Sequence, residues 1–436
     1  MSKGKYLAPK SARRQRPVRR EERRRPPVQE EVIPEEENFT AAPVAEPIPE
    51  PAAAPTEQFT APAEQIPELQ AEEPAPRRRV PPKKAVKKKQ SFGTTLLHGL
   101  AVFGTVLLFI VLVLAVSIKM ICGTTSPAAK KNFVTTMLET GQLKFLVSWF
   151  VPADEVQAIV DSNSMEKFDE EIKGDLISIS DFGEDPDPEA KDIDVFEISG
   201  STYTAKVIKV RDPSRISLAT IYPWKDVGVT LEALVQQSGA VAAINGVIYN
   251  STNNSGGRPY GIIVSNGQIQ HNQPSEWPGL VLIGFDSNNI LQIIDVNGMT
   301  PSQAEAMIKE KGIRDAVTFQ EESSDANNHF VQLILNGTAR TMNGKGSGLN
   351  PRTAIGQCAD GSILLVVTDG RGKNGHLGAS AADLIEIMTQ CGAVNAANLD
   401  GGSSSCMYYN NEYLMTSVTF YYSNSSWKLP AAFVVK

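Results

Sequence analysis

The chain is poor in the residues that staple or metallate small exported domains: four cysteines and four histidines occur in 436 residues. Cys122, Cys358, Cys391 and Cys406 follow no zinc-ligand spacing; the last three allow one bridge at most with a thiol left over, and buried free thiols are the competing reading. Histidine is too scarce near the motifs described below to furnish a binuclear transition-metal centre. Residues 1–92 have almost no aromatics and hold 16 of the 28 prolines. That composition excludes a packed core there, because the apolar surface available for burial does not offset the entropy of ordering the chain. We therefore expect a disordered tail. No internal repeat is evident in the chain.

A further absence is positional. Residues 94–118, "TTLLHGLAVFGTVLLFIVLVLAVSI", contain no Asp, Glu, Lys or Arg, and this run exceeds the roughly 20 residues that a bilayer core requires. It reads as a transmembrane helix over 93–119. A cleaved signal peptide does not fit, since about ninety residues precede the run and it is too long for an h-region. The basic block "RRRVPPKKAVKKKQ" stands just before it, and only Lys119, Lys130 and Lys131 follow closely. The positive-inside bias then puts the N-terminus in the cytoplasm and the C-terminal part outside the plasma membrane, in a single pass. On this reading the basic run is a topology and lipid-surface signal, and nucleic acid is not a partner. The charge balance agrees: residues 1–92 carry 19 Lys plus Arg against 14 Asp plus Glu, whereas the remainder carries 23 against 35.

Residues 120–192 are expected to form a membrane-proximal helical stalk and an acidic linker. Apolar residues recur at mixed three and four spacings from 126 to 162, and Pro152 with Asp154 starts a new helix after a break. "DFGEDPDPEAKD" (181–192) is acidic enough to suggest Ca²⁺, but it lacks the ligand spacing of a calcium loop. From 193 the texture changes to short β-rich runs punctuated by Gly, Asn and Asp, with turn signals at Ser265-Asn266-Gly267 and Asp360-Gly361. One helix opens at Thr300, with Pro301 in its first turn and Gln303 completing a capping box; another opens at Ser380 with Asp383 and closes at Gly392. The expectation is an α+β domain over 193–436: a mixed β-sheet core with a few helices.

Two of the β-runs end on a carboxylate followed by glycine. "ILLVVTDGR" ends on Asp369, Gly370 and Arg371, and "NAANLDGGSSS" ends on Asp400, Gly401, Gly402 and Ser403 to Ser405. A helix lies between them. If the two strands are parallel and adjacent, the crossover sets both acids at the carboxyl edge of one sheet, where ligand sites of α/β sheets form. Asp-Gly is also the commonest turn dipeptide, so turn capping competes with a working site. The glycines and serines after Asp400 leave an open concavity with N–H groups and hydroxyls, suited to an anion or polyol. "NPRTAIG" starts the hairpin partner of the first strand with Arg352, and guanidiniums at Arg352 and Arg371 either form surface ion pairs or clamp a phosphate. Asn245 and Gly246 interrupt another apolar strand, a place where Asn usually marks a bulge or turn. His376, in the loop after Asp369, either is solvated or overhangs the pocket.

"AAINGVIYN", "GIIVSNGQ", "NPRTAIG", "LLVVTDGR" and "NAANLDGGSSS", in that order and spacing, resemble the phosphodiester glycosidase domain family, over about 195–436. The resemblance implies hydrolysis of a sugar 1-phosphodiester, and bacterial members are associated with exopolysaccharide and cell-wall polymers. It implies site roles for Asn245, Arg352, Asp369, Arg371, Asp400 and Gly401. Val247, Ile248 and Tyr249 depart from the family pattern at the sugar end. A phosphomonoester leaves without protonation, so arginines can replace the usual acid of a glycosidase. The expected assignment has Arg352 and Arg371 on phosphate, with Asn245, Gly401, Gly402 and Ser403 also toward the substrate. One of Asp400 and Asp369 activates water or attacks, the other orients, and His376 is a reserve acid or base. No cofactor is required on this reading. Two rivals remain at the level of sequence: a phosphodiesterase with a divalent cation held by Asp369 and Asp400, and a non-catalytic module that binds wall polymer.

Overall fold

The structure is a computed structural model that describes residues 92–123, 126–140, 143–179, 191–323, 328–418 and 424–436. The tail expected over 1–92 lies, but for Phe92, outside the described residues, as does most of the acidic run at 181–192. The helices in chain order are α1 (Phe92–Gly123), α2 (Pro127–Leu138), α3 (Phe145–Phe150), α4 (Ala153–Asp161), α5 (Leu231–Ser238), α6 (Pro301–Glu310) and α7 (Ala381–Gln390). The strands are β1 (Ile193–Ser199), β2 (Thr204–Val210), β3 (Ile216–Thr220), β4 (Ala242–Asn245), β5 (Ile262–Ser265), β6 (Gln268–Asn272), β7 (Leu280–Asp286), β8 (Leu291–Asp295), β9 (Ile313–Gln320), β10 (Glu322–Ser323), β11 (Asn328–His329), β12 (Gln332–Leu335), β13 (Thr338–Ala339), β14 (Thr353–Cys358), β15 (Ile363–Thr368), β16 (Ala393–Asn398), β17 (Met407–Tyr409), β18 (Glu412–Met415) and β19 (Ala431–Val435).

α1 is long and apolar enough to cross a membrane, and none of its apolar window is buried in the protein. Beyond it, α2 to α4 bury Val134, Leu138, Val147, Val151, Val156 and Val160 against one another. Pro152 caps α4, with Asp154 and Glu155 in its first turn as the sequence predicts. Residues 163–179 then run along the β-body: Phe168 N–H donates to Gln332, Lys173 N–H to Asn336, and Ser178 N–H to the Ala359 carbonyl.

The body is the mixed α+β architecture expected from the sequence. Its sheets order as β1-β2-β15-β14-β16-β12-β13, β18-β17-β4-β19-β3 and β6-β5-β9-β7-β8, with a two-stranded β10-β11 ribbon. All three large sheets contribute to one core that holds Ile208, Ile355, Leu365, Ile244, Phe433, Ile283 and Phe285. Alternation along each strand explains the layering, because successive side chains point to opposite faces. In β15, Ile363, Leu365 and Val367 enter that core, while Leu364 and Val366 face α7 with Leu384, Ile387 and Met388. β15 is covered on both faces, so all six of its residues are buried and the first five are apolar, while Thr368 at the rim bonds Arg352.

Local signals are realised closely. The β5-β6 turn places Asn266 at φ 50° and Gly267 at φ 72°, the left-handed pair that a two-residue hairpin loop needs. Thr300 and Ser380 form complete capping boxes with Gln303 and Asp383. All four cysteines are free thiols. One expectation is corrected: the strands that end at Asp369 and Asp400 are not adjacent. β14 lies between β15 and β16 and pairs antiparallel with both. The hairpin through Asp360-Gly361 fills the place beside β15 first, and α7 carries the chain over β14 to its far side.

Candidate active site

The inserted strand strengthens the convergence. β15 and β16 run in one direction and β14 in the other, so β14 begins at the rim where its two neighbours end. Thr353 pairs with Val367 and Ala354 with Asn398. Arg352, one residue earlier, is fixed by its own backbone, which accepts from Thr368 N–H at 2.9 Å and donates to the Thr368 hydroxyl at 2.9 Å. An arginine thus sits between two strand ends that each carry an aspartate.

Asp369 is 1% exposed, and its carboxylate is fully engaged. Oδ1 accepts from Thr204 N–H at 2.8 Å, at the start of the neighbouring β2. Oδ2 faces His376 Nδ1 at 2.7 Å and accepts from Asn374 at 3.2 Å. The loop that brings His376 back is built on left-handed residues, with Arg371 at φ 52°, Gly372 at φ 87° and Asn374 at φ 55°. With Nδ1 committed to Asp369, the half-buried imidazole keeps Nε2 for a ligand.

Asp400 closes the other strand. Its backbone carbonyl accepts from Asn245 Nδ2 at 2.6 Å. Burial lifts its carboxyl pKa to about 7, against the opposing pull of the Ser404 hydroxyl, the Gly401 N–H and the Arg371 charge. Arg371 ties the two ends together: Nη1 donates to Ser403 Oγ at 2.7 Å and Nε to Asn350 Oδ1 at 3.3 Å. Its pKa is lowered, first by desolvation of the guanidinium and then by Arg352, with Glu139 and Asp400 opposing. Gly402, at φ 62°, leaves room for that guanidinium, since a Cβ there would lie 2.8 Å from Nη2. A Cβ on Gly401 would stand 3.0 Å from the Pro351 carbonyl.

The remaining candidates are placed as follows. Asn245 is 1% exposed, and its Oδ1 accepts from Thr353 Oγ1 at 2.8 Å and from Cys406 N–H at 3.1 Å, so it stitches β4 and β14 to the turn after Asp400. It ends β4 and makes no bulge. Val247 is core, and Tyr249 is 6% exposed with its hydroxyl 3.0 Å from Ser404 Oγ, the hydroxyl that reaches Asp400. Arg352 is 6% exposed: Nε donates to the Ala379 carbonyl at 3.0 Å, and Nη2 to Gly348 at 2.7 Å and Ser347 at 3.1 Å. Phe330 stacks under it, 5.0 Å from ring centre to Cζ. Nη2 also meets Glu139, at the C-terminal end of α2, and that carboxylate is nearly sealed from solvent. No sequence motif marks Glu139; its role is visible only once α2 is packed. Among the described residues, no group of three or more His, Cys, Asp and Glu is arranged to hold a metal ion.

Comparison with known proteins finds a family whose pattern part of the chain matches. Residues 238–436 match the phosphodiester glycosidase family. The match covers the strand ends at Asn245, Arg352, Asp369 and Asp400 and stops short of α2 and β1 to β3. A curated relative, the SPbeta prophage-derived uncharacterized protein YomE of Bacillus subtilis, is 37% identical over 65 residues, a stretch that spans 15% of this chain and 10% of that protein. Among solved structures, the chain is similar to the zebrafish N-acetylglucosamine-1-phosphodiester alpha-N-acetylglucosaminidase catalytic domain auto-inhibited by its pro-peptide. That likeness has 15% identity and a TM-score of 0.43, over 57% of this chain and 85% of the other. A hypothetical protein from Synechocystis is similar at 16% identity and a TM-score of 0.34, over 57% and 64% of the two chains. Phosphodiester glycosidases are hydrolases that act on phosphodiester-linked sugars.

Proposed function

We propose that the chain is a membrane-anchored hydrolase that cleaves the C1–O bond of sugar 1-phosphodiesters outside the cytoplasm, in cell-surface polysaccharide or teichoic-acid-like polymers. The observation that carries this reading is the meeting of Arg352, Arg371, Asp400 and the Asp369–His376 pair at one sheet rim within the family match.

Arg371 and the Nη1 edge of Arg352 receive the phosphate; among the described residues, Nη1 has no hydrogen-bond partner in the protein. Asp400 acts at C1 as the base that takes a proton from the attacking water, which transfers to the carboxylate as the C1–O bond breaks and the phosphomonoester departs with the bonding pair. A carboxyl with a pKa of about 7 is matched to that task near neutral pH. The departing anion is stabilised by guanidiniums already in position, so no acid is needed for it. Asp369 is not the attacking group here, because its carboxylate is buried and saturated; it orients His376, whose Nε2 is a second proton carrier beside the phosphate. The anchored geometry supports a surface substrate: α1 would span the plasma membrane in one pass, with the N-terminus in the cytoplasm and the β-body outside.

The test is release of free sugar from a synthetic hexosamine 1-phosphodiester by the full chain in detergent. Wild type should release sugar, and folded Asp400→Asn should release none; full activity of that variant contradicts the assignment.

A further inference from the structure

We infer that Glu139, contributed by the membrane-proximal α2 and lying outside the family match, is a positioning residue that locks Arg352 in its anion-binding orientation. The inference rests on the function proposed above for its use of an anion site, and on geometry of its own. The Glu139 side chain is 2% exposed and the Arg352 side chain 7%. One carboxylate oxygen accepts from Gly348 N–H at 2.6 Å; the other accepts from Asn350 Nδ2 at 2.8 Å and from Arg352 Nη2. Asn350 in turn accepts from Arg371 Nε at 3.3 Å, so one carboxylate sets both guanidiniums, one directly and one through an amide.

The docking that delivers Glu139 is built in. Leu349 N–H donates to Thr136 Oγ1 at 3.2 Å, and a Cβ on Gly348 would lie 2.4 Å from the Thr136 backbone nitrogen, so only glycine lets α2 approach so closely. Among the described residues, every group hydrogen-bonded to the Glu139 carboxylate is a donor. A carboxylate satisfies three donors at once, whereas a Gln amide would turn its own N–H₂ toward one of them. The buried arginine therefore depends on this acid for charge balance and for direction, because a buried charge without its partner is strongly disfavoured. The consequence is that the working unit begins before residue 139, and a fragment that starts at 193 lacks part of its own site.

The full chain in detergent is titrated calorimetrically with inorganic phosphate and assayed on the hexosamine 1-phosphodiester, for wild type, Glu139→Gln, Glu139→Asp, Arg352→Lys and Glu139→Gln with Arg352→Lys. Glu139→Gln should weaken phosphate binding roughly tenfold or more and raise KM in step, with a smaller change in kcat. Glu139→Asp, which keeps the charge, should fall between wild type and Gln and decides the matter if the Gln variant does not fold. In the double variant the two effects should not add, since both act on one guanidinium. Unchanged or tighter phosphate binding in Glu139→Gln overturns the inference, because Glu139 would then be neutral to Arg352 or a competitor for it; additive effects overturn it as well. If wild type binds phosphate but cleaves no sugar 1-phosphodiester, the proposed function falls, and the phosphate titration still decides on Glu139.

Discussion

His376 Nδ1 lies 2.7 Å from Asp369 Oδ2, and the aspartate of that pair is sealed from solvent while the histidine is not. The pairing fixes the histidine tautomer, because a carboxylate that already accepts from Thr204 and Asn374 can only accept from the ring. Asp369→Asn and His376→Ala should each lower kcat, by roughly 10²- to 10⁴-fold. The double variant should be little worse than either, as expected for groups that act as a unit. Initial rates of all three variants check this, with circular dichroism as the control for folding.

Under the proposed function, Asp400 should make the reaction pH-dependent. Its folded pKa of about 7 lies above the ordinary carboxylate value of 3.8, so the active, ionised form accumulates as pH rises through 7. The rate should climb over that range, and the rise should vanish in a variant whose activity no longer depends on this carboxyl.

The same carboxyl has an opposite effect on stability. Between about pH 4 and 7 the folded state binds the Asp400 proton and the unfolded state does not, so stability falls as pH rises, by up to about 1.4 kcal/mol for each pH unit crossed. Asp400→Asn removes that penalty. Its Tm should exceed wild type at pH 8 and match it at pH 4, as differential scanning fluorimetry at the two values would show.

Gly402 keeps Arg371 in place. Gly402→Ala puts a methyl group against Nη2 in a left-handed backbone conformation, at a cost of about 1 kcal/mol or more. The expected outcome is a raised KM for the diester with a modest loss of Tm. Arg371→Lys should raise KM as well, since an ammonium cannot hold Ser403 and a phosphate in one plane.

The chemistry assigned here runs on guanidiniums and proton carriers. Incubation with EDTA followed by gel filtration should leave turnover of the diester unchanged. Loss of activity restored by Mg²⁺ or Ca²⁺ would favour the rival phosphodiesterase reading.

Much of the fold was legible in the sequence where the cause is local. The Asn266-Gly267 turn and the capping boxes at Thr300 and Ser380 depend on neighbours within a few residues. β9 has a weak strand signal, because Arg314 and Asp315 interrupt its apolar stretch; packing pairs them with each other and makes β9 a central strand. α5 is only eight residues long and escapes the pattern, though Thr230 caps it. At the candidate site, Asp369, Arg371 and Asp400 stand out in the sequence because each lies just past a strand end and beside glycine. The insertion of β14 between β15 and β16 was not legible, since either pairing satisfies the same alternation. Glu139 was silent for a stronger reason: its partner Arg352 is 213 residues away, and a lone Glu at a helix end looks solvated.

The most direct test of the central claim is hydrolysis of a sugar 1-phosphodiester by the full chain in ¹⁸O water, with mass analysis of the phosphate product. Cleavage at C1 predicts a phosphomonoester that carries no ¹⁸O; ¹⁸O in the phosphate would place the break at phosphorus and contradict a glycosidase mechanism.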